Sequence, residues 1–295
     1  MHKNRLLIVG CGDVMRRALP WLTRRFTVYA LVRSPQSAAA LRAAGVIPVT
    51  GDLDRPHSLH RLAGLATHVL HSAPPPAAGA DDPRTRRLLA ALSRGGSLPR
   101  GVVYISTSGV YGDCQGSWVA ETRPLGAESD RARRRVAAEQ HLRHLGRRHA
   151  RVAILRAPGI YAADRLPVDR VRTGTPALAD ADDGYSNHIH ADDLARASGL
   201  ALFRGRSNRI YNVNDDCQWK MGEWFDRVAD TYDLPRPARL PREAMQQAVS
   251  PALWSFMRES RRLDNTRLKR EMRVRLQHPT PEGLLTEIAR QLRKS

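Results

Sequence analysis

The sequence predicts an α/β protein with a doubly wound parallel sheet, followed by a smaller, mostly helical C-terminal lobe. Three observations predict it. The apolar run Leu6-Leu7-Ile8-Val9 stops abruptly at Gly10-Cys11-Gly12, which reads as a buried strand, a tight turn and the start of a helix. Further short apolar runs follow as far as residue 213, separated by stretches of helical character, the alternation that builds a parallel sheet. From Trp219 onward the chain reads as helices.

In chain order, Gly10 and Gly12 let the backbone turn sharply and come close to a ligand. The first amides of the helix that begins at Asp13-Val14-Met15 point, unpaired, at that gap and form an anion site, as in the pyrophosphate cradle of Rossmann folds. The fingerprint Gly-x-Gly-x-x-Gly is incomplete, because Met15 stands at the third glycine; this affects helix-to-strand packing more than phosphate contact. The alternative is an ordinary strand-turn-helix corner without a ligand. Phe26 to Val32 reads as a second strand ending in Arg33-Ser34-Pro35. Arg33 lies 21 residues beyond Gly12, about where an NAD-binding unit places an acid, and an arginine there can pair with the 2′-phosphate of NADP. The alternative is one more surface arginine.

Ser37 to Ala44 reads as a helix closed by Gly45, and Val46 to Val49 as a third strand leading to Gly51-Asp52-Leu53. Asp52 either accepts the adenine amino group or caps a helix. Thr67 to His71 reads as a strand running into Ser72-Ala73-Pro74-Pro75-Pro76, a rigid loop at the sheet edge where cofactor lies. Then come a helix from Asp81 to Leu92 and a strand from Gly101 to Ile105, ending in Ser106-Thr107-Ser108-Gly109-Val110-Tyr111-Gly112-Asp113. A long helix is expected from Arg131 to His149, with Ala138, Leu142 and Leu145 on one face, and a strand from Arg151 to Leu155. Loop-like text fills Tyr161 to about Gly184. His190 to Phe203 reads as a helix, Arg209 to Val213 as the last strand, and Trp224, Trp254 and Phe256 as packing anchors of the helices beyond.

Composition sets bounds. A chain of 295 residues, 42% hydrophobic and 26% charged, is long enough for one large domain or two unequal ones. No apolar run approaches the roughly 20 residues that span a bilayer, and Met1-His2-Lys3-Asn4 leads directly into the first strand, so no membrane partner and a cytoplasmic location are expected. Cys11, Cys114 and Cys217 are far apart and lack metal-ligand spacing, so neither a disulfide framework nor a metal site is expected. The net charge of +19 is the usual footprint of nucleic-acid binding. Only four of the 48 basic residues are lysine, however, and the arginines scatter along the whole chain, which reads as codon composition. Without a helix-turn-helix, zinc-finger or aromatic-interleaved basic motif, no specific nucleic-acid partner is expected.

The glycine loop, Gly51-Asp52-Leu53 and Tyr104-Ile105-Ser106-Thr107-Ser108-Gly109-Val110-Tyr111-Gly112 together resemble the extended and atypical branches of the short-chain dehydrogenase/reductase superfamily, which hold the NAD-dependent epimerase/dehydratases of nucleotide sugars. The likeness continues through Leu155-Arg156-Ala157-Pro158-Gly159-Ile160-Tyr161 and Asn187-His188-Ile189-His190-Ala191-Asp192-Asp193-Leu194-Ala195, covering roughly the first 215 residues. The resemblance implies a Rossmann domain over residues 1–160, its sheet completed by about 188–215, and a mostly helical substrate lobe over 161–295. It implies cofactor contacts from Gly10, Cys11, Gly12, Asp13, Val14 and Met15, from Arg33, Asp52 and Leu53, from Ser72, Ala73 and Pro74, and from Pro158 and Ile160. NADP is the expected cofactor, with NAD as the alternative.

By the same resemblance Thr107 matches the Ser/Thr that hydrogen-bonds the reacting oxygen. Counting back from Val136-Ala137-Ala138-Glu139, the family's catalytic Tyr-x-x-x-Lys falls on Arg131 and Arg135, and neither residue is kept. A guanidinium stays protonated at physiological pH, so Arg131 cannot relay a proton. Candidates for that role are Tyr111, Tyr161, His188 and His190; packing and backbone capping are the alternatives for each. Arg131 and Arg135 share a helix face that the family's geometry aims at the cleft, where they would clamp an anionic group; the alternative is a solvated helix, since Arg133 and Arg134 sit between them. Two functions follow. One is an NAD(P)-dependent oxidoreductase or epimerase/dehydratase-like enzyme acting on a small, nucleotide-sugar-like molecule as a monomer or homodimer. The other is a catalytically silent NADP(H)-binding sensor or interaction module.

Overall fold

A computed structural model of the protein describes residues 4–94, 98–148 and 150–294. The first half alternates strand and helix: β1 (Asn4–Val9), α1 (Asp13–Arg25), β2 (Phe26–Val32), α2 (Pro35–Ala43), β3 (Ile47–Thr50), β4 (His68–His71), α3 (Pro83–Ser93) and β5 (Gly101–Thr107). After the two-residue β6 (Trp118–Val119) come α4 (Asp130–Arg148), β7 (Arg151–Ala157), β8 (Gly159–Tyr161), α5 (Val168–Arg172), β9 (Ala177–Leu178), β10 (His188–His190), α6 (Ala191–Arg204) and β11 (Arg209–Asn212). The remainder is α7 (Met221–Thr231), β12 (Arg239–Leu240), α8 (Arg242–Ala248), α9 (Pro251–Met257), β13 (Arg262–Leu263), α10 (Thr266–Met272) and α11 (Glu282–Leu292).

Seven strands form one parallel sheet in the order β11-β7-β5-β4-β1-β2-β3. The chain builds outward from β1 to β3, then returns to the other side of β1 with β4, so the strand order reverses between β1 and β4. In open α/β sheets that reversal leaves a crevice at the carboxyl ends of the strands. Both faces of β1 are buried. Leu6 and Ile8 pack with Met15, Leu19 and Leu22 of α1 and Leu194 of α6, whereas Leu7 and Val9 pack with Leu88 and Leu92 of α3 and Leu142 of α4. A strand covered on both faces has no polar side to alternate with, which is why its sequence is a continuous apolar run.

Several boundaries differ from expectation. Pro35 starts α2 two residues early, because Ser34 caps it by accepting the Ser37 N–H and proline suits a first helical turn. Asp82 caps α3 by accepting from the amides of Arg84 and Thr85, which starts that helix at Pro83. The helix expected to reach His149 is described to Arg148, and His149 lies outside the described residues, as do Met1, His2 and Lys3. The stretch after Tyr161, expected as loop, contains α5 and β9. His190 caps α6 by accepting the Asp192 N–H and does not form its first turn. The helices beyond Trp219 are interleaved with the short strands β12 and β13, which pair with β9 and β6. Of the three expected anchors, Trp224 is buried, Trp254 is partly covered and Phe256 is 46% exposed. Arg131 lies over the Phe256 ring, 3.6 Å from its centroid.

Candidate functional site

A groove follows the carboxyl ends of β1, β2, β4, β5 and β7. Its first part, a cleft of about 590 Å³, is lined by Gly10, Cys11 and Gly12, by Arg33 to Ser34, by Asp52 and Leu53, and by Ser72, Ala73 and Pro74. A second part of about 290 Å³ is lined by Asp13, Val14, Met15, Thr107, Arg135, Pro158 and Ile160, and shares Gly10, Gly12 and Ser72 with the first. A third, also about 290 Å³, lies among Pro74 to Ala77, Thr107, Arg131, Arg134 and Arg135.

The two glycines do different things. Gly10 has φ +91°, and a Cβ there would stand 2.4 Å from the Ala73 nitrogen, so only glycine fits. The backbone amides of Ser72 and Ala73 donate to the Val9 carbonyl, and the Ser72 hydroxyl donates to the Gly10 carbonyl at 2.5 Å, locking the proline loop over the turn. A Cβ on Gly12, in contrast, would meet no atom within 4 Å. Its space opens into the cleft at the start of α1, where unpaired amides favour an anion. Met15 is buried in the core between α1 and the sheet, so a side chain fits where the fingerprint has its third glycine. Asp13, also at this helix end, is neutralised: desolvation raises its pKa, but hydrogen bonds from Arg165 and Arg17 outweigh that and hold it below the usual carboxylate range. Arg17 also reaches Asp164 and Asp192, tying α1 to α6.

Arg33 is exposed at the end of β2 and, among the described residues, makes no hydrogen bond or close ion pair. Ser34, Ser37 and Arg16 line the cleft around it. The nearby Asp54 is engaged by Arg84 at 2.5 Å. Asp52 lines the same cleft while accepting the Asp54 N–H at 3.0 Å, so it braces a turn. Arg16, Ser34, Ser37 and Arg165 also line the groove although no sequence motif marks them as site residues; the Ser34-Pro35 cap signal does place the start of α2 beside Arg33.

At the other end, Thr107 Oγ1 accepts the Gly109 N–H at 3.2 Å, which leaves its own proton free to be donated into the groove. Arg135 donates from one nitrogen to the Tyr104 hydroxyl at 2.9 Å and the Ile105 carbonyl at 3.0 Å. The buried Arg134, unremarked as a site residue in the sequence, faces the groove with them and donates to the Gly79 carbonyl at 2.6 Å. Tyr111 is not brought to the groove: it is buried, and its hydroxyl donates to Asn212 Oδ1 at 2.7 Å. Tyr161, His188 and His190 are likewise buried and do not line the groove: both histidine rings pack edge-on against Tyr161, and Tyr161 and His188 pack against Trp224. Burial pushes the His188 imidazole down to about 4. His190, Asp192 and His278 bring ligand atoms within 4.8 Å of one another, but Asp192 is held by Arg17 and His190 Nδ1 accepts the Asp192 N–H.

A family model described as the NAD dependent epimerase/dehydratase family matches residues 16–214. The chain belongs to that family. The match begins just after the glycine turn and runs past β11, so it takes in every later strand of the epimerase/dehydratase sheet. Among solved structures, a functionally unknown conserved protein from Silicibacter pomeroyi is 27% identical over 98% of this chain and 99% of that one, with a TM-score of 0.81. A dTDP-glucose 4,6-dehydratase from Streptomyces venezuelae, with NAD and TYD bound, is 22% identical over 99% and 97%, at a TM-score of 0.76. A UDP-glucose 4-epimerase from Thermotoga maritima, with UDP-glucose, is 16% identical over 98% and 99%, at 0.77. The latter two establish the shared fold. A search of the curated proteins finds no match.

Proposed function

We propose that this family member is an NADP(H)-dependent oxidoreductase or epimerase/dehydratase-like enzyme of a small-molecule substrate, with an atypical proton relay. The observation that carries the reading is the pair of groove ends: Arg33, exposed and without a hydrogen bond among the described residues, beside Ser34 and Ser37 at one, and Thr107 with its proton free at the other, joined past the open space at Gly12. A cofactor laid along the groove would place its pyrophosphate at the start of α1 and its 2′-phosphate against Arg33, where a charge-assisted fork suits a phosphate. When bound, the nicotinamide would supply or accept a hydride. Thr107 would donate to the reacting oxygen, and Arg135, fixed by Tyr104 and Ile105, would hold positive charge beside it. The residues 161–295 would form the substrate lobe, which touches the groove wall where Phe256 meets Arg131.

Calorimetric titration of NADP⁺ and NAD⁺ into wild type and Arg33→Ala tests this. Wild type is expected to prefer NADP⁺ at least tenfold, and the variant to lose roughly 1.5 to 3 kcal/mol of that binding while keeping its NAD⁺ affinity. Equal wild-type affinities would overturn the NADP assignment. The guanidiniums at positions 131 and 135, which cannot relay protons, favour a second reading of a silent NADP(H)-binding module. Oxidation of NADPH by a carbonyl substrate panel, lost in Thr107→Val, supports the enzyme; binding without turnover across the panel supports the module.

A further inference from the structure

The three arginines that α4 presents to the third part of the groove lack acidic partners there. Its lining is Pro74 to Ala77, Thr107, Arg131, Arg134 and Arg135, with no carboxylate. Arg134 is only 8% exposed, yet its hydrogen-bond partner is the neutral Gly79 carbonyl. Arg135 is likewise held by the Tyr104 hydroxyl and the Ile105 carbonyl. Arg131 makes no hydrogen bond or ion pair among the described residues and is positioned by the Phe256 ring beneath it. Desolvation, opposed by Glu259 and reinforced by Arg135, Arg261 and Arg134, holds the Arg131 pKa below its ordinary value. Glu259 is itself paired with Arg261 at 2.6 Å. By contrast Arg133, on the outer face of α4, pairs with Asp130 at 3.0 Å.

Like charges gathered at one pocket, with Arg134 buried and Arg135 half-buried behind the exposed Arg131, are costly unless something neutralises them, and guanidinium forks are matched to oxyanions. The facing wall, Pro74 to Ala77, carries no charged side chain to pair with the arginines. The pocket shares Thr107 and Arg135 with the second part of the groove, where Thr107 would meet the reacting oxygen, so an anion held there would lie next to the reacting position. We infer that the pocket between α4 and the proline loop is an oxyanion subsite, which selects substrates carrying a carboxylate or phosphate through Arg131, Arg134 and Arg135. This rests on the cofactor reading of the adjoining groove, and it changes the expected substrate class from a neutral sugar ring to one bearing its own acidic group near the reacting carbon.

The test is calorimetric titration of orthophosphate and, separately, malonate into protein saturated with NADP⁺, at low ionic strength, so that the other anion positions are filled. One strong site is expected for one of the two probes, which tells a phosphate source from a carboxylate source. Arg131→Gln and Arg135→Gln should each weaken that site at least tenfold, and Arg133→Gln should leave it unchanged. Arg131→Gln removes no hydrogen bond among the described residues and only the stacking on the exposed Phe256 ring, and thermal melts verify that the fold is kept. Absence of a site for both probes, a wild-type affinity in Arg131→Gln, or an equal loss in Arg133→Gln would each overturn the inference. If NADP⁺ itself does not bind, the functional reading fails, and the same comparison in cofactor-free protein still decides the subsite.

Discussion

Single residues decide whether the groove can take a ligand. Gly12→Val introduces a side chain that meets nothing in the protein but fills the space before α1. Its thermal midpoint should stay close to wild type while calorimetric NADP⁺ binding disappears; retained binding would make the turn a plain structural corner. Gly10→Ala should do the reverse, because a non-glycine residue at φ +91° and a Cβ 2.4 Å from the Ala73 nitrogen strain the fold itself. We expect a loss of about 1 to 3 kcal/mol or more in urea unfolding. Burial pushes the Cys11 thiol, between them, up to about 11 against the pull of Arg16, and so disfavours its thiolate. Both glycines were legible in the sequence because a sharp stop in an apolar run needs them. Arg134 was not, because four arginines in five helical positions look alike until the helix is docked.

At the scale of elements, α4 is fixed to the sheet by a buried ion pair whose partners lie 17 residues apart and carry no local sequence signal. Glu139 on α4 accepts from Arg156 of β7 at 3.1 and 2.6 Å and from the Ser106 hydroxyl of β5 at 2.6 Å. Arg156 in turn lies 4.7 Å from the centre of the Tyr111 ring. This explains why Tyr111, conspicuous in the sequence, belongs to the scaffold: its ring packs on the arginine and its hydroxyl is spent on Asn212. Removing one charge leaves the other buried and unpaired, so Glu139→Leu should cost about 3 to 5 kcal/mol in urea unfolding. The double variant Glu139→Leu with Arg156→Leu should recover part of that loss; a double variant as unstable as the sum of both singles would show that packing dominates. The pair also sets the rotation of α4, and with it which arginines face Thr107.

For the whole molecule, buried titratable groups make stability depend on pH. His188 is pushed down to about 4 by desolvation, against about 6.5 when unfolded, and His71, also buried, is pushed down to about 4 by desolvation. Between those values the unfolded chain binds more protons than the folded one, so stability is fully present above about pH 6.5 and falls as pH drops toward 4. The His188 contribution is on the order of 3 kcal/mol. The carboxyls of Glu121, Asp183 and Asp215 act in the opposite sense, because burial raises them and the folded state then takes up protons first. Comparison of wild type with His188→Gln isolates the histidine: urea midpoints measured from pH 7 to 4.5 should fall less steeply in the variant. Parallel slopes would show that His188 is not held neutral.

The sequence by itself determined the strand-helix alternation, the glycine turn, the arginine at the end of β2 and the threonine at the end of β5. These are local: each follows from a run of apolar residues and what stops it, and the parallel sheet then places every strand end on one rim. Only the tertiary structure decided which polar side chains of the later chain reach that rim. Tyr161, His188 and His190 look like acid/base groups in the sequence, but β8 and β10 pair with each other and turn Tyr161 and His188 against Trp224 and His190 against Tyr161 and His278. Phe256 looks like core, but α9 sets it at the surface, where Arg131 covers it. Such outcomes depend on how elements distant in the chain pack together, and hydrophobic periodicity carries no information about that docking.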